Sequence, residues 1–499
     1  MEPHAFKDRL TRAIALQQSG RPMEAVALFR EVLRAIPGHP LTCYLCGLSL
    51  QEAGRAVEAL EMLSRAVVEA PGEPDYHRGL AIVLKKNGKF GPARERLRTA
   101  LGLDPQHAET HFHLGDLEMD LGRPEEAAGH LHRALELAPG LVEARVNLGL
   151  CHKALGDLEG ALDCFEAASA VQPDNPEYHV NRALTLLMAG RYPEGWQAYE
   201  WRLRLPVMAR QMEQVPPGIP RWTGESPAGK TVLVLSEQGF GDNINFIRFL
   251  PQLAAMGAIT LLEAPDRLRE LFRDHPGIHH FVSRREMIMG EIRADCHIPL
   301  LSLPGLLHTT PETIPNRMPY LQADPALTAR LAPRVRAAGL KVGLYWEGKP
   351  LHANDPARRR SCPPAAFVPL AGMPGVTWFS LQTPPEGQAL SLADHPLQPV
   401  DLGSSLEGFH ETAALLTHLD LLITIDTAIA HLGAALGKPV WLLVPFAPDW
   451  RWGMAGETTP WYPTLRLFRQ ATPGDWSIPL MTMAKRLRDQ LLTGARPPA

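Results

Sequence analysis

The chain of 499 residues has no long apolar run, no surplus of one charge and few cysteines. None of its apolar stretches reaches the roughly 18 residues of a spanning helix, so no membrane span is expected. The opening Met1-Glu2-Pro3-His4-Ala5-Phe6-Lys7-Asp8 carries no secretory apolar segment, and a cytoplasmic location is the expectation. Fifty Lys and Arg against 54 Asp and Glu give a formal charge of −4, which supplies no general attraction to nucleic acid or to an anionic membrane. Six scattered cysteines read as reduced thiols. Cys43-x-x-Cys46 lacks the second pair that a zinc site needs and falls inside a predicted helix, so no metal site is expected. No Asp-x-Asp element stands near a strand end.

What the chain has is a period. Gly20, Gly54, Gly88, Gly122, Gly156 and Gly190 recur every 34 residues, and Pro37, Pro71, Pro105, Pro139 and Pro173 keep the same interval. Each glycine suits the end of a first helix and each proline the end of a second. Ala25, Ala59, Ala93, Ala127 and Ala161, closed by Gly195, put a small residue where two helices must meet. Phe29, Leu63, Leu97, Leu131, Phe165 and Tyr199 follow one helical turn later on the same face. Residues 6–206 thus closely resemble the tetratricopeptide (TPR) family, with six repeats of 34 residues. That resemblance implies an α-solenoid whose concave face takes a protein or peptide.

Past Pro206 the period stops, and residues 207–229, with Pro216-Pro217-Gly218-Ile219-Pro220, read as a Pro-rich linker. Two α/β halves follow, at 230–324 and 340–494. In the first, Thr231 to Leu235 is a short buried strand, Gly239-Phe240-Gly241-Asp242 a tight turn, and Asn243 to Met256 a helix. Ile244 stands where a dinucleotide fingerprint needs its third glycine, so a nicotinamide cofactor is not expected. In the second half, Val342 to Trp346, Val376 to Leu381 and Leu419 to Ile425 read as strands. The last of these runs into Asp426-Thr427 and a short helix, Ala428 to Leu436, that carries His431. A strand's carboxyl end followed by a helix N-terminus is the usual phosphate site of a parallel sheet.

Several motifs of 230–476 together resemble glycosyltransferase family 9, the heptosyltransferase-like enzymes of GT-B fold. They are Ser236-Glu237-Gln238-Gly239-Phe240-Gly241-Asp242, Gly343-Leu344-Tyr345-Trp346-Glu347-Gly348, Arg358-Arg359-Arg360-Ser361, Asp426-Thr427-Ala428-Ile429-Ala430-His431, Asp449-Trp450-Arg451-Trp452 and Trp461-Tyr462-Pro463. The resemblance implies two Rossmann-like halves, acceptor side first and donor side second. It implies that Asp242 serves as the acceptor-side base and that Asp426, Thr427, Ala428 and His431 bind the donor diphosphate. Ala428 replaces the family's glycine.

The expected chemistry is consistent with that. Moving a sugar from a nucleotide diphosphate needs one carboxylate to take the acceptor's proton and several donors for the leaving phosphates, with no metal and no cofactor beyond the sugar donor. Lys349 and Arg360 are the further phosphate candidates. Gly239, Gly241, Trp346 and Trp450 are the candidates for the cleft wall. Bland roles stand beside these: Asp242 suits a helix cap, and the tryptophans suit a core. Two other functions fit the same architecture, a TPR scaffold with a silent GT-B half and a protein glycosyltransferase resembling the O-GlcNAc transferases.

Overall fold

A computed structural model of the chain describes residues 3–348, 360–384 and 390–493, and these fall into two compact units, Met1–Leu155 and Gly156–Ala499. The first is helical throughout: α1 (Pro3–Gln18), α2 (Pro22–Ala35), α3 (Pro40–Glu52), α4 (Ala56–Glu69), α5 (Pro74–Lys86), α6 (Phe90–Leu103), α7 (Ala108–Asp120), α8 (Pro124–Leu137) and α9 (Val142–Leu155). Its construction follows from the period. Gly20, Gly54, Gly88 and Gly122 all adopt positive φ, between 71° and 74°, which ends each first helix in a conformation costly for any side chain. Ala25, Ala59, Ala93 and Ala127 are fully buried where the paired helices touch, and Phe29, Leu63, Leu97 and Leu131 fill the space beside them. Cys43 and Cys46 belong to this packing. Burial pushes both thiols up, Cys46 to about 11, so they act as small apolar groups.

The second unit opens with three more helices of the same pattern, α10 (Leu158–Val171), α11 (Pro176–Met188) and α12 (Tyr192–Tyr199), and continues without a break in packing. It then carries α13 (Pro206–Met212), β1 (Thr231–Leu235), α14 (Phe240–Phe246), α15 (Leu250–Ala255), β2 (Ile259–Glu263), α16 (Asp266–Phe272), β3 (His280–Val282), α17 (Arg284–Ile288), β4 (Cys296–Pro299), α18 (Leu303–Leu306) and α19 (Pro325–Leu331). A second set follows: β5 (Leu340–Tyr345), β6 (Val376–Ser380), β7 (Val400–Asp401), α20 (Phe409–Thr417), β8 (Leu421–Ile425), α21 (Ala428–Ala435), β9 (Val440–Val444), β10 (Leu465–Arg469) and α22 (Ser477–Thr493). The expected helix from Asn243 to Met256 is instead α14, a tight turn and α15. Pro251 has no N–H to give the carbonyl a turn earlier, so one continuous helix cannot form there.

The strands make two parallel sheets, ordered β3-β2-β1-β4 and β10-β9-β8-β5-β6-β7. In each sheet the chain builds outward in one direction and then returns to the other side of its first strand, so the order reverses between β1 and β4 and again between β5 and β8. Ligand crevices of parallel sheets form outside the carboxyl ends at such reversals. Leu233 pairs with Leu261 and His297 in the first sheet, and Leu344 with Ser380 and Ile423 in the second.

The sequence change at Pro206 is not a boundary in packing. Tyr192, Trp196 and Tyr199 of α12 share one continuous core with Val232 and Val234 of β1, with Phe246 and Phe249, and with Trp450, Trp461 and Tyr462. Trp196 donates its indole N–H to the Thr309 carbonyl at 3.0 Å, and Trp461 donates to the Tyr192 hydroxyl at 3.0 Å. The Pro-rich stretch is likewise part of the fold. It begins as α13, and the Trp222 side chain is buried while its backbone N–H donates to His297 of β4 at 2.8 Å. Among the described residues no helix is long and apolar enough to cross a membrane.

This packing predicts where the chain can be cut. A chain starting at Gly156 is expected to stay soluble and unfold cooperatively in urea. One starting at Arg221 strips α12 from Trp450 and Trp461 and is expected to aggregate. A soluble, cooperatively folding Arg221 chain would contradict the shared core.

Candidate functional site

The turn after β1 is tied at every residue. Ser236 N–H donates to the Glu263 carbonyl, and Glu237 is buried. Gln238 is a non-glycine residue at φ 60°, a left-handed conformation that persists only where surroundings hold it. Asn243 closes the turn from inside α14, donating its side-chain amide to the Glu237 carbonyl at 3.1 Å and the Gly239 carbonyl at 2.8 Å. Asp242 stands in the first turn of α14, and its Oδ2 accepts the Gly239 N–H at 3.1 Å. The carboxylate therefore caps its own helix.

The turn after β8 lies against this one. Asp426 ends the strand almost buried, and Thr427 precedes the first residue of α21, with its hydroxyl directed back to the Ile425 carbonyl at 3.4 Å. A Cβ on Gly241 would come within 2.9 Å of His431 Cδ2 and 3.4 Å of Ala428 Cα. Only glycine lets the starts of α14 and α21 approach this closely. His431 is buried, its Nδ1 is 2.9 Å from the Tyr462 hydroxyl and 3.5 Å from Asn245 Nδ2, and its ring stacks on Trp452 at 5.4 Å. Burial first, then Arg451 and Arg248, hold its pKa well below the usual range, so it is a neutral imidazole at pH 7.

Arg451, from the turn after β9, joins the two. One Nη donates to Asp242 Oδ1 at 2.5 Å and the other to Asp449 Oδ1 at 3.0 Å, while the guanidinium lies 4.6 Å over the Trp450 ring. Burial opposes its charge, but Asp449 and Asp242 outweigh that and hold its proton more tightly than usual. The Asp426 carboxyl is pushed up to about 6, mainly by burial and next by Asp449; the Trp452 indole, Arg360 and Arg451 pull the other way. Arg360 Nη1 reaches the Asp426 carbonyl at 3.5 Å. Arg451 Nε and Trp452 Nε1 are buried without a hydrogen bond of normal geometry.

Asp242, Asp426, Thr427, Ala428, His431, Arg360, Gly239 and Gly241 thus converge. Trp346 and Trp450 do not line a cleft. Trp346 is 3 % exposed and packs on His395, and Trp450 is 5 % exposed among Tyr192, Trp196 and Trp461, so both are core. Lys349 lies outside the described residues. The residues that sequence reasoning passed over are Arg451, Asp449 and Arg248. Arg248 is buried, donates to the Trp461 carbonyl at 2.6 Å and Tyr320 hydroxyl at 2.9 Å, and stacks over the Tyr462 ring at 4.4 Å. Arg451 was within sight in Asp449-Trp450-Arg451-Trp452; nothing in the sequence signals Arg248.

Comparison with known proteins bears on the repeats. Tetratricopeptide repeat profiles match residues 16–82 and 118–187, and a second such profile matches 78–142. The first 200 residues or so carry TPR repeats, which supports a protein-interaction role. Protein FlbA of Caulobacter vibrioides is 31% identical over 332 residues, covering 62% of this chain and 54% of FlbA. The chain spans about half the length of that curated relative, and the match is longer than the repeat array. Among solved structures, the TPR protein TTC0263 of Thermus thermophilus shares 24% identity, covering 36% of this chain and 99% of its own, with a TM-score of 0.32. YrrB, described as a TPR protein with an unusual peptide-binding site, shares 18% identity, covering 38% of this chain and 98% of its own, with a TM-score of 0.31.

The Asp426 environment yields a stability test with a definite sign. A carboxyl whose folded pKa is raised from 3.8 to about 6 favours the fold when protonated, and that contribution is lost as pH rises through this window. Asp426→Asn, which cannot ionise, is expected to gain up to about 3 kcal/mol relative to the natural chain at pH 7.5 and little at pH 4. Urea unfolding at the two pH values measures this; an equal effect at both would rule out the raised carboxyl.

Proposed function

We propose that the chain is a metal-independent glycosyltransferase of GT-B type, similar to glycosyltransferase family 9, moving a sugar from a nucleotide diphosphate to a protein or glycan acceptor recruited by the TPR repeats. The observation that carries this reading is the apposition of the Asp242 turn and the α21 N-terminus across Gly241 and His431, joined by Arg451. A base and a phosphate-binding helix start then stand at one place, contributed by the carboxyl edges of two parallel sheets.

In this reading the leaving diphosphate takes the N-terminal amides of α21, the Thr427 hydroxyl and Arg360, with neutral His431 behind them. Asp426, protonated below about pH 6, presents no repelling charge there in mildly acidic solution. Asp242 takes the acceptor proton. To do so the carboxylate exchanges the Arg451 guanidinium for an acceptor hydroxyl, and Arg451, released, turns its charge toward the departing phosphate.

The same ion pair favours a second reading, a TPR scaffold whose α/β half is silent, because Asp242 is already fully engaged by Arg451 and by the Gly239 N–H.

Ligand-induced stabilisation separates the two. One of ADP, GDP or UDP at 100 times its dissociation constant is expected to stabilise the fold by about 2.7 kcal/mol, and none would do so for the scaffold. His431→Ala is expected to fold and to weaken that nucleotide. Asp242→Asn is expected to bind the nucleotide at least as tightly, because its phosphate no longer competes with a carboxylate for Arg451, and to lower turnover of the nucleotide sugar by roughly 10² to 10⁴. Near-natural turnover in Asp242→Asn would leave Asp242 as a cap and ion-pair partner only.

A further inference from the structure

We propose that the last TPR helix is part of the candidate site, with Tyr199 and Arg202 as positioning residues that hold the Glu237–Asp242 turn and so fix where Asp242 stands. The observation is a polar joint between the end of α12 and the order reversal of the first sheet. Arg202, 1 % exposed, donates to Glu237 through both arms of its guanidinium, Nε to Oε2 at 2.9 Å and Nη2 to Oε1 at 2.7 Å. Glu237 Oε1 also accepts the Leu301 N–H at 2.9 Å, and Arg202 Nη2 reaches the Ser302 hydroxyl at 2.8 Å. Glu237 follows β1, and Leu301 and Ser302 follow β4. The pair therefore fills the crevice between β1 and β4 that an open parallel sheet leaves for a ligand.

The next residue carries the effect toward Asp242. Gln238 is held at φ 60° and donates its side-chain amide to the Tyr199 hydroxyl at 2.7 Å, and the Tyr199 ring lies 4.6 Å from the Arg202 guanidinium carbon. A left-handed glutamine, with a Cβ and a long side chain, keeps that conformation only while an outside group holds it. Here the outside group belongs to a TPR helix. Gly239 begins the helix start on the next residue, and the bond from Asp242 back to the Gly239 N–H transmits any shift of Gln238 to the carboxylate. The positioning claim rests on the glycosyltransferase reading only for its effect on turnover.

Hydrogen exchange on the full chain tests the joint without activity. Tyr199→Phe keeps the ring and removes one hydroxyl; amides of 237–242 are expected to exchange about five- to tenfold faster while those of β8 and β9 are unchanged. Gln238→Ala is expected to do the same, and combining the two to add nothing further, because each removes the same bond. Unchanged exchange in Tyr199→Phe, or additive effects in the pair, would overturn the proposal. If the natural chain turns over a nucleotide sugar, Tyr199→Phe is expected to lower kcat with KM for the sugar donor unchanged, and an unaltered kcat would also overturn it. Faster exchange with no nucleotide sugar turned over by the natural chain would leave the joint standing and remove the glycosyltransferase reading alone.

Discussion

The arrangement of the second unit depends on the buried ion pair between Arg202 and Glu237. A guanidinium and a carboxylate away from water are tolerated only when each satisfies the other and the remaining donors and acceptors find partners. Here Glu237 is shared between Arg202 and the Leu301 N–H, and Arg202 between Glu237, Ser302 and the Tyr199 carbonyl at 3.1 Å. One partner comes from the TPR pattern and the others from the carboxyl edge of a parallel sheet. Neither part can leave without stranding a charge, which ties the chain just past α12 to the carboxyl edge of the first sheet. The apolar contacts of Tyr192 and Trp196 with Trp450 and Trp461 join the same two parts.

From this joint the geometry of the candidate site follows. The β1 turn is anchored on one side by Arg202 and Tyr199 and on the other by the glycine-only approach to His431. Arg451 then closes the gap, with Asp242 and Asp449 as its counter-ions and Asp426 left raised beside them. Asp242, Asp449 and Asp426 thus surround one buried arginine; in the proposed reaction an incoming phosphate would compete with Asp242 for Arg451, linking nucleotide binding to release of the base.

Much of this was legible in the sequence, for reasons that differ by part. The 34-residue spacing reports helix pairs directly, because a positive-φ glycine and a contact alanine are needed once per repeat. The strands β1, β5, β6 and β8 were legible as short apolar runs, and Asp242, Thr427 and His431 as polar residues past strand ends. The joint was not legible. Arg202 and Glu237 lie 35 residues apart in stretches of opposite character, and a buried ion pair leaves no pattern in either. Nor does a composition shift such as the one at Pro206 tell whether packing also stops there; Trp196, from before the shift, packs against Trp450 beyond it. Of the two roles open to Trp346 and Trp450, cleft wall or core, burial leaves the core.

A buried charge pair joins the final repeats to the sheets, and a substitution cycle on Arg202 and Glu237 reads its strength. Urea unfolding of the second unit in the full chain is expected to lose about 3–5 kcal/mol in Arg202→Met and a similar amount in Glu237→Leu, with most of that loss recovered when both are replaced. Losses below about 1 kcal/mol in both single variants, the size of an exposed pair, would contradict it.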